Sequence, residues 1–304
     1  MPAQSTTAAA RAPSLADRAP AWSLALLAMT LIQVGAAFST GLFGVVGPAG
    51  TAWLRLCAGA AIFLALRRPR IRGRSRRELA GALGLGVTSG LMTLAFLNAL
   101  ARIPLGTTVA IEFLGPLTVA VIGIRSPSGL AWPVLALAGV LALTEPWTGA
   151  VDPVGIAFAA AAGLGWGVYI LLTAQVGDRF EGLEGLSVTI PVAAIVATII
   201  AGPDAAGRVT PGAVAIAFGL ALLMPVIPYS LELLALRRLT TSAFGTLMAL
   251  EPAIAMLMGM VVLAQVPTAL QVAGVALVVI AGIGATRGGN RASAAGEVAI
   301  PLID

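Results

Sequence analysis

Histidine and lysine are absent from this chain of 304 residues, and cysteine occurs once, at Cys57. A single cysteine cannot form an intrachain disulfide. Without histidine, the chain lacks the residue sets of Cys/His metal sites and of Ser/His or Cys/His catalysis. We therefore expect no metal, no cofactor and no enzyme activity of these kinds.

Charged residues are also scarce. They make up 10% of the chain, against 59% for hydrophobic residues, and the mean hydropathy is +0.99. A water-exposed surface cannot be built from so few charges. The composition predicts an all-α polytopic membrane protein.

The basic residues are all arginine, and the net charge is +5. A basic chain can bind nucleic acid, but these arginines lie in short connections between apolar runs, which is the pattern of membrane topology. We expect no nucleic-acid partner. If the N-terminus is cytoplasmic, every arginine outside the spans except Arg102 and Arg208 lies on the cytoplasmic side. Both termini are therefore predicted to be cytoplasmic. The run from Arg67 to Arg77 retains its loop there, and could also contact anionic membrane lipids.

Ten apolar segments approach the length of about 20 residues that a bilayer requires. They lie near residues 22–45, 50–66, 79–101, 105–124, 130–146, 154–176, 186–201, 212–236, 242–264 and 268–286. A signal peptide is the alternative for the first, but the apolar run is too long for one and further spans follow at once. Residues 1–20 are predicted to be a disordered cytoplasmic lead, and residues 288–304 a cytoplasmic tail.

An internal repeat relates the two halves of the chain. With a shift of 136 residues, Ala99, Leu100, Arg102, Leu114, Pro116 and Gly123 fall on Ala235, Leu236, Arg238, Leu250, Pro252 and Gly259. Spans three and four thus repeat as spans eight and nine, and a displacement of five reverses the orientation in the membrane. The sequence predicts two inverted five-helix repeats, residues 21–146 and 147–287. Such repeats are typical of secondary transporters, whose site lies between them near the midplane.

Four ionisable residues lie inside apolar spans: Arg55, Glu112, Glu232 and Glu251. Each costs about 3 kcal/mol at a helix centre on insertion scales, so we expect them to face a cavity or one another. A buried glutamate can exchange a proton for a cationic substrate group. For Arg55, a pair with a carboxylate that only joins helices is the alternative.

Prolines accompany these carboxylates. Pro116 has no N–H for the carbonyl of Glu112, and Pro252 has none for that of Met248. Pro225 and Pro228 interrupt the eighth span as well. We interpret all four as hinges, although a proline kink can also serve packing alone.

Further polar and aromatic side chains lie within the spans. We expect Gln33, Asn98, Trp166, Tyr169 and Tyr229 to line the site, with an interhelical hydrogen bond as the alternative for Gln33 and Asn98. The spacings Gly86…Gly90 and Gly163…Gly167 predict close helix contact instead of binding.

Several motifs resemble a known family. They are Ile103-Pro-Leu-Gly with Ala110-Ile-Glu-Phe-Leu-Gly-Pro, Trp166-Gly-Val-Tyr-Ile-Leu, Pro228-Tyr-Ser-Leu-Glu and Phe244-Gly-Thr-Leu-Met-Ala-Leu-Glu-Pro-Ala. Over about residues 20 to 287 the chain resembles the EamA branch of the drug/metabolite transporter superfamily, and most of all the inner-membrane threonine/homoserine exporters. The resemblance implies export of small amino acids from a central cavity by proton antiport, with Glu112, Trp166, Tyr229, Glu232 and Glu251 at matching positions.

The sequence thus predicts an inner-membrane exporter that works by alternating access, with a small-molecule substrate and protons as partners. An exporter of another metabolite or of a cationic drug is the first alternative. An intramembrane enzyme acting on a lipid-linked substrate, and a purely structural membrane subunit, are more distant ones.

Overall fold

The computed structural model describes residues 20–66, 75–121, 131–145, 152–176, 183–236, 238–239 and 241–296. Within these ranges every regular element is helical, which confirms the all-α class. Residues 1–19 of the predicted lead, residues 67–74 of the arginine run and residues 297–304 of the predicted tail lie outside the described residues.

Seven α-helices lie among the described residues up to residue 176. They are α1 (Ala21–Ser39), α2 (Phe43–Leu66), α3 (Arg76–Leu100), α4 (Leu105–Glu112), α5 (Leu114–Val121), α6 (Ala131–Thr144) and α7 (Pro153–Val176), with a 3-10 turn at Thr40–Leu42.

Six more helices follow. They are α8 (Leu183–Ala205), α9 (Pro211–Ala221), α10 (Ile227–Leu236), α11 (Thr241–Met248), α12 (Glu251–Leu263) and α13 (Ala269–Gly296). A 3-10 turn at Ala206–Arg208 precedes α9, and a π-helical stretch at Leu222–Val226 joins α9 to α10.

Six helical stretches of the described residues are long and apolar enough to cross a bilayer. They are Ala21–Leu66, Arg76–Leu100, Pro153–Thr173, Gly185–Arg208, Pro211–Tyr229 and Phe244–Leu263, and shorter apolar helices occupy Leu105–Val119, Ala131–Thr144 and Ala269–Ala285. Large apolar side chains such as Leu164, Ile199 and Val261 remain exposed, as expected of surfaces that face lipid. The chain is a multi-pass membrane protein.

The long stretch Ala21–Leu66 is divided at Gly47. This residue has φ 77° and ψ 167°, a backbone conformation that glycine adopts readily and other residues avoid. Pro48 follows and suits the first turn of a new helix. The break therefore lies between the first two predicted spans, of which the first ends near residue 45 and the second begins near residue 50.

The fourth and ninth predicted spans are each split into two helices. α4 ends at Glu112 and α5 begins at Leu114, while α11 ends at Met248 and α12 begins at Glu251. Before the second break, the Leu250 N–H donates to the Leu247 carbonyl at 2.9 Å, which tightens the last turn. Pro116 and Pro252 lie in the first turn after each break, where a missing N–H is tolerated.

Glycines let the helices approach closely at the predicted positions. A Cβ at Gly163 would lie 2.8 Å from the Glu112 carbonyl oxygen, and one at Gly115 would collide with the Gly163 carbonyl. Gly86 and Gly90 of α3 similarly face the backbone and side chains of α8. The interpretation of both glycine pairs as contact surfaces is confirmed.

The largest apolar cluster lies between the first helices of the chain and α8, with Phe63, Leu97 and Leu105 at its centre. α1 packs against α10 and α12, and α12 packs against α4. Three of these helices, α1, α4 and α12, carry the buried residues Gln33, Glu112 and Glu251. α13 continues to Gly296, about ten residues past the predicted end of the last span, so part of the predicted tail is helical.

Candidate functional site

Polar side chains are buried where apolar helices meet. Gln33 is 1% exposed, Arg55 2%, Glu251 5% and Glu112 8%, although each lies on a helix of mainly apolar residues. Burial of this kind is costly unless the groups bind one another or a ligand. Their partners therefore decide what the site can do.

Gln33 and Glu251 are bonded to each other. Gln33 Nε2 on α1 donates to Glu251 Oε1 at the start of α12, at 3.1 Å. The interhelical hydrogen bond that was the alternative for Gln33 is thus present, and its partner is one of the predicted site residues. No protein donor among the described residues lies within hydrogen-bond distance of Gln33 Oε1 or Glu251 Oε2.

Arg55 on α2 is held by a hydroxyl. Its Nη1 donates to Ser39 Oγ at 3.2 Å, and the Ser39 hydroxyl in turn donates to the Gly35 carbonyl at 2.7 Å. Within the described part of the chain, Arg55 forms no ion pair with a carboxylate within 4.0 Å. It interacts electrostatically with Glu112 and Tyr229 over a longer distance. The guanidinium therefore keeps donors that a substrate carboxylate could use.

Glu112 lies at the last position of α4, against α7. Gly163 of α7 allows the close approach to its backbone. The next residue, Phe113, meets Trp166 of α7 edge to face, with ring centroids 6.4 Å apart and an angle of 75°. Trp166 therefore stands beside the break between α4 and α5, packed on an aromatic ring.

A second set of predicted residues lies on α7 and α10. Tyr169 interacts electrostatically with Tyr229 and Glu232. Glu251 interacts in the same way with Glu112 and Glu232. We call the seven residues that these interactions link the polar network: Gln33, Arg55, Glu112, Tyr169, Tyr229, Glu232 and Glu251.

The polar network borders the broken part of the eighth span. Met224 has the extended conformation φ −164°, ψ 111°, and interrupts the helix immediately before Pro225. Pro225 is buried, and Pro228 is buried in the first turn of α10, next to Tyr229. The chain thus changes direction directly before the two network residues of α10.

Two predicted residues, Trp166 and Asn98, stand outside the network, and one contributor was missed. Asn98 Nδ2 donates to the Leu94 carbonyl of its own helix at 2.7 Å, and among the described residues its amide forms no hydrogen bond to another helix. Ser39 holds Arg55, yet its only signal in the sequence is a polar pair, Ser39-Thr40, late in an apolar span. A helix end accounts for such a pair equally well.

Polar contacts join the interhelical connections at the N-terminal end of α4, the end opposite Glu112. Arg102 Nη1 and Asp152 Oδ2 form an ion pair at 2.8 Å, and the hydrogen bond from Arg102 keeps the pKa of the Asp152 carboxyl below its usual value. Gln265 Oε1 accepts from the Leu105 N–H at 3.1 Å. A small pocket beside this bond is lined by Thr107, Met256 and Gln265 among others and contains no ionisable residue. It is separate from the polar network.

Buried charges inside a bundle of apolar, interrupted helices are the features of a membrane transporter. The comparison with known proteins agrees. The model of the EamA-like transporter family matches residues 153–286. Among curated relatives, the threonine/homoserine exporter RhtA of Salmonella typhimurium (strain LT2) is 36% identical over 288 residues. RhtA of Escherichia coli (strain K12) is 35% identical over 285 residues, and each alignment covers 90% of this chain and 95% of the relative.

The chain belongs to the EamA-like transporter family. It is a transporter and not an enzyme. A crystal structure of another protein superimposes with a TM-score of 0.61 at 20% identity, covering 88% of this chain and 98% of the other. At that identity the match supports the fold alone.

Proposed function

We propose that the protein exports small amino acids of the threonine and homoserine type across the cytoplasmic membrane, by alternating access and in exchange for protons. The proposed cargo rests on the identity of 36% to threonine/homoserine exporters over almost their whole length. The buried polar network supplies groups of both signs, as a zwitterionic cargo requires.

The transport cycle needs two halves that move against each other, and we propose ten helices arranged as two inverted five-helix repeats with both termini cytoplasmic. Helices α4 and α11 support this arrangement. Both have eight residues, they are related by the shift of 136, and each ends at a break. The family model matches residues 153–286, about the extent of the proposed second half.

Exchange of a proton for the substrate would take place at the carboxylates. When all three are charged, Glu112 and Glu232 repel the charge of Glu251. A proton or a substrate ammonium group relieves this repulsion, and the two compete for the same position. Arg55 would hold the substrate carboxylate.

The interrupted helices would provide the movement. The breaks at Phe113 and at Ala249-Leu250 lie next to Glu112 and Glu251, so bending there changes the side of the membrane that the network faces. Pro116 and Pro252 keep the breaks from closing into continuous helices. Pro225 and Pro228 do the same beside Tyr229 and Glu232.

Counterflow in proteoliposomes tests the cargo. Vesicles containing the purified protein are loaded with unlabelled threonine or homoserine and diluted into a trace of the radiolabelled compound. We expect transient accumulation of label, absent from protein-free vesicles. Accumulation of other solutes, such as cationic drugs, without any of threonine or homoserine would overturn the amino-acid assignment.

A further inference from the structure

Two buried acceptors of the polar network have no hydrogen-bond donor among the described residues. When Glu251 is ionised, its carboxylate accepts hydrogen bonds and cannot donate them, so the Gln33 amide directs its Nε2 towards Glu251. The bond of 3.1 Å to Glu251 Oε1 meets this requirement. Gln33 Oε1 therefore points away from the carboxylate, and Glu251 Oε2 is the second oxygen without a protein donor.

Free acceptors at such depth need donors from elsewhere. Both side chains are more than nine-tenths buried. A buried acceptor without a partner is unfavourable, and proteins rarely retain one without a role. The two oxygens flank a single hydrogen bond, so their separation is on the scale of one small amino acid. A ligand that carries two donors close together would satisfy both.

We propose that these oxygens bind the two donors of a hydroxyl-bearing amino acid. Glu251 Oε2 accepts from the α-ammonium group, since a charged donor bonds most strongly to a charged acceptor. Gln33 Oε1 accepts from the side-chain hydroxyl and is the residue that determines specificity. This inference rests on the proposed function and deepens it, because it names the feature of the cargo that the site recognises.

The other end of such a substrate has its own partner. Arg55 Nη1 donates to Ser39, and a guanidinium has five N–H donors, so others can serve a ligand. Arg55 also interacts electrostatically with Glu112, which in turn interacts with Glu251. The substrate carboxylate can therefore face Arg55 while its ammonium and hydroxyl groups face Glu251 and Gln33. The substrate carboxylate then faces a cation, its ammonium group faces a carboxylate, and its hydroxyl group faces a hydrogen-bond acceptor.

The cargo chemistry provides a direct test. Threonine and homoserine carry their hydroxyl on different carbons, and removal of the hydroxyl turns both into 2-aminobutyrate. A site that hydrogen-bonds a hydroxyl rejects the analogue without it, because its own buried group is left unpaired. We expect the wild-type protein to transport threonine and homoserine with a kcat/KM about tenfold or more above that of 2-aminobutyrate.

The substitution Gln33→Met keeps the length of the side chain and removes the acceptor together with the Nε2 donor to Glu251. Loss of that donor affects both substrates alike, so the ratio of their kcat/KM values reports on the acceptor. We expect 2-aminobutyrate to be transported as well as threonine by this variant, so that the ratio of the two kcat/KM values approaches one. Thr30→Val is the control on the same helix, because the Thr30 hydroxyl donates to the Leu26 carbonyl of α1. Its ratio should equal that of the wild type.

The outcomes separate this inference from the proposed function. Equal transport of all three compounds by the wild type would overturn the inference and keep the amino-acid exporter. A Gln33→Met protein that keeps the wild-type ratio would overturn it too. So would a folded Gln33→Met protein that transports neither compound, since 2-aminobutyrate uptake must survive the change. Absence of all amino-acid transport by the wild type would overturn the proposed function itself.

Discussion

Glu251 illustrates how a buried charge is stabilised in this protein. It lies in the first turn of α12, where the helix dipole favours a negative group, and it accepts a hydrogen bond from Gln33. The negative charges of Glu112 and Glu232 destabilise the ionised form of Glu251. In the proposed exchange, these opposing influences let Glu251 alternate between an ionised form that binds a cation and a neutral form that has bound a proton.

Glu251→Gln removes the charge and keeps the shape. Because neither a proton nor an ammonium group can then neutralise the site, we expect threonine flux driven by a pH gradient to fall about tenfold or more. Glu78→Gln is the matched control, since Glu78 belongs to an exposed capping box at the start of α3 and glutamine fits that motif. Unchanged flux with an unchanged pH dependence in the Glu251→Gln protein would rule out the role.

The identity of most site residues could be predicted, but not their pairing. Charged and amide groups in apolar spans stand out because the membrane penalises them, so the sequence points to Gln33, Arg55 and the glutamates. Hydrogen-bond partners depend on how each helix is rotated about its axis, which composition does not encode. Asn98 consequently bonds within its own helix, and Ser39 takes the place beside Arg55 where a carboxylate was one expectation.

At the scale of helices, glycine contacts set the position of Glu112. Gly163→Ala would place a Cβ 2.8 Å from the Glu112 carbonyl oxygen and 3.1 Å from its Cα. We expect a loss of about 1–3 kcal/mol of stability, as for other overpacked contacts, seen as a lower melting temperature in detergent. Gly219→Ala is the control, because nothing lies within 4 Å of a Cβ there. Equal melting temperatures for the two variants would contradict the close contact between Gly163 and Glu112.

A separate prediction concerns the break between α11 and α12, beside the polar network. Pro252→Ala restores an N–H that can bond to the Met248 carbonyl and extend α12 backwards. One such hydrogen bond is worth about 0.5–1.5 kcal/mol, so we expect threonine turnover to slow by about two- to tenfold with little change in KM. Pro191→Ala is compared with it, since Pro191 lies within α8, which contributes no network residue. If the two variants keep equal rates, the break is a packing feature and not a hinge.

The helices themselves were predictable where apolar length decides them. The ten predicted segments each overlap a helix or a pair of helices, and the break at Gly47 falls between the first two of them. The π-helical stretch Leu222–Val226 could not be derived, because it reflects how Pro225 packs between neighbours. The continuation of α13 to Gly296 was missed because hydropathy predicts only the part of a helix that lies in the membrane. The same helix can continue beyond the membrane into water.

At the scale of the whole molecule, the arginine distribution predicts the orientation. With Cys57→Ala as background, Arg77→Cys should react with a membrane-impermeant thiol reagent only after cells are permeabilised. Gly207→Cys, in the exposed turn Ala206–Arg208, should react in intact cells. The reverse pattern would place both termini outside, and reaction of both cysteines in intact cells would refute an odd number of crossings between them.

Accumulation of threonine against its own gradient tests the central claim most directly. Proteoliposomes are prepared with the wild-type protein, equal threonine on both sides and an imposed pH gradient. The account predicts that threonine moves uphill, opposite to the direction of proton flow, and that a protonophore abolishes accumulation but leaves exchange of labelled for unlabelled threonine intact. Threonine that never exceeds its equilibrium level, or accumulation that survives the protonophore, would contradict proton-coupled export.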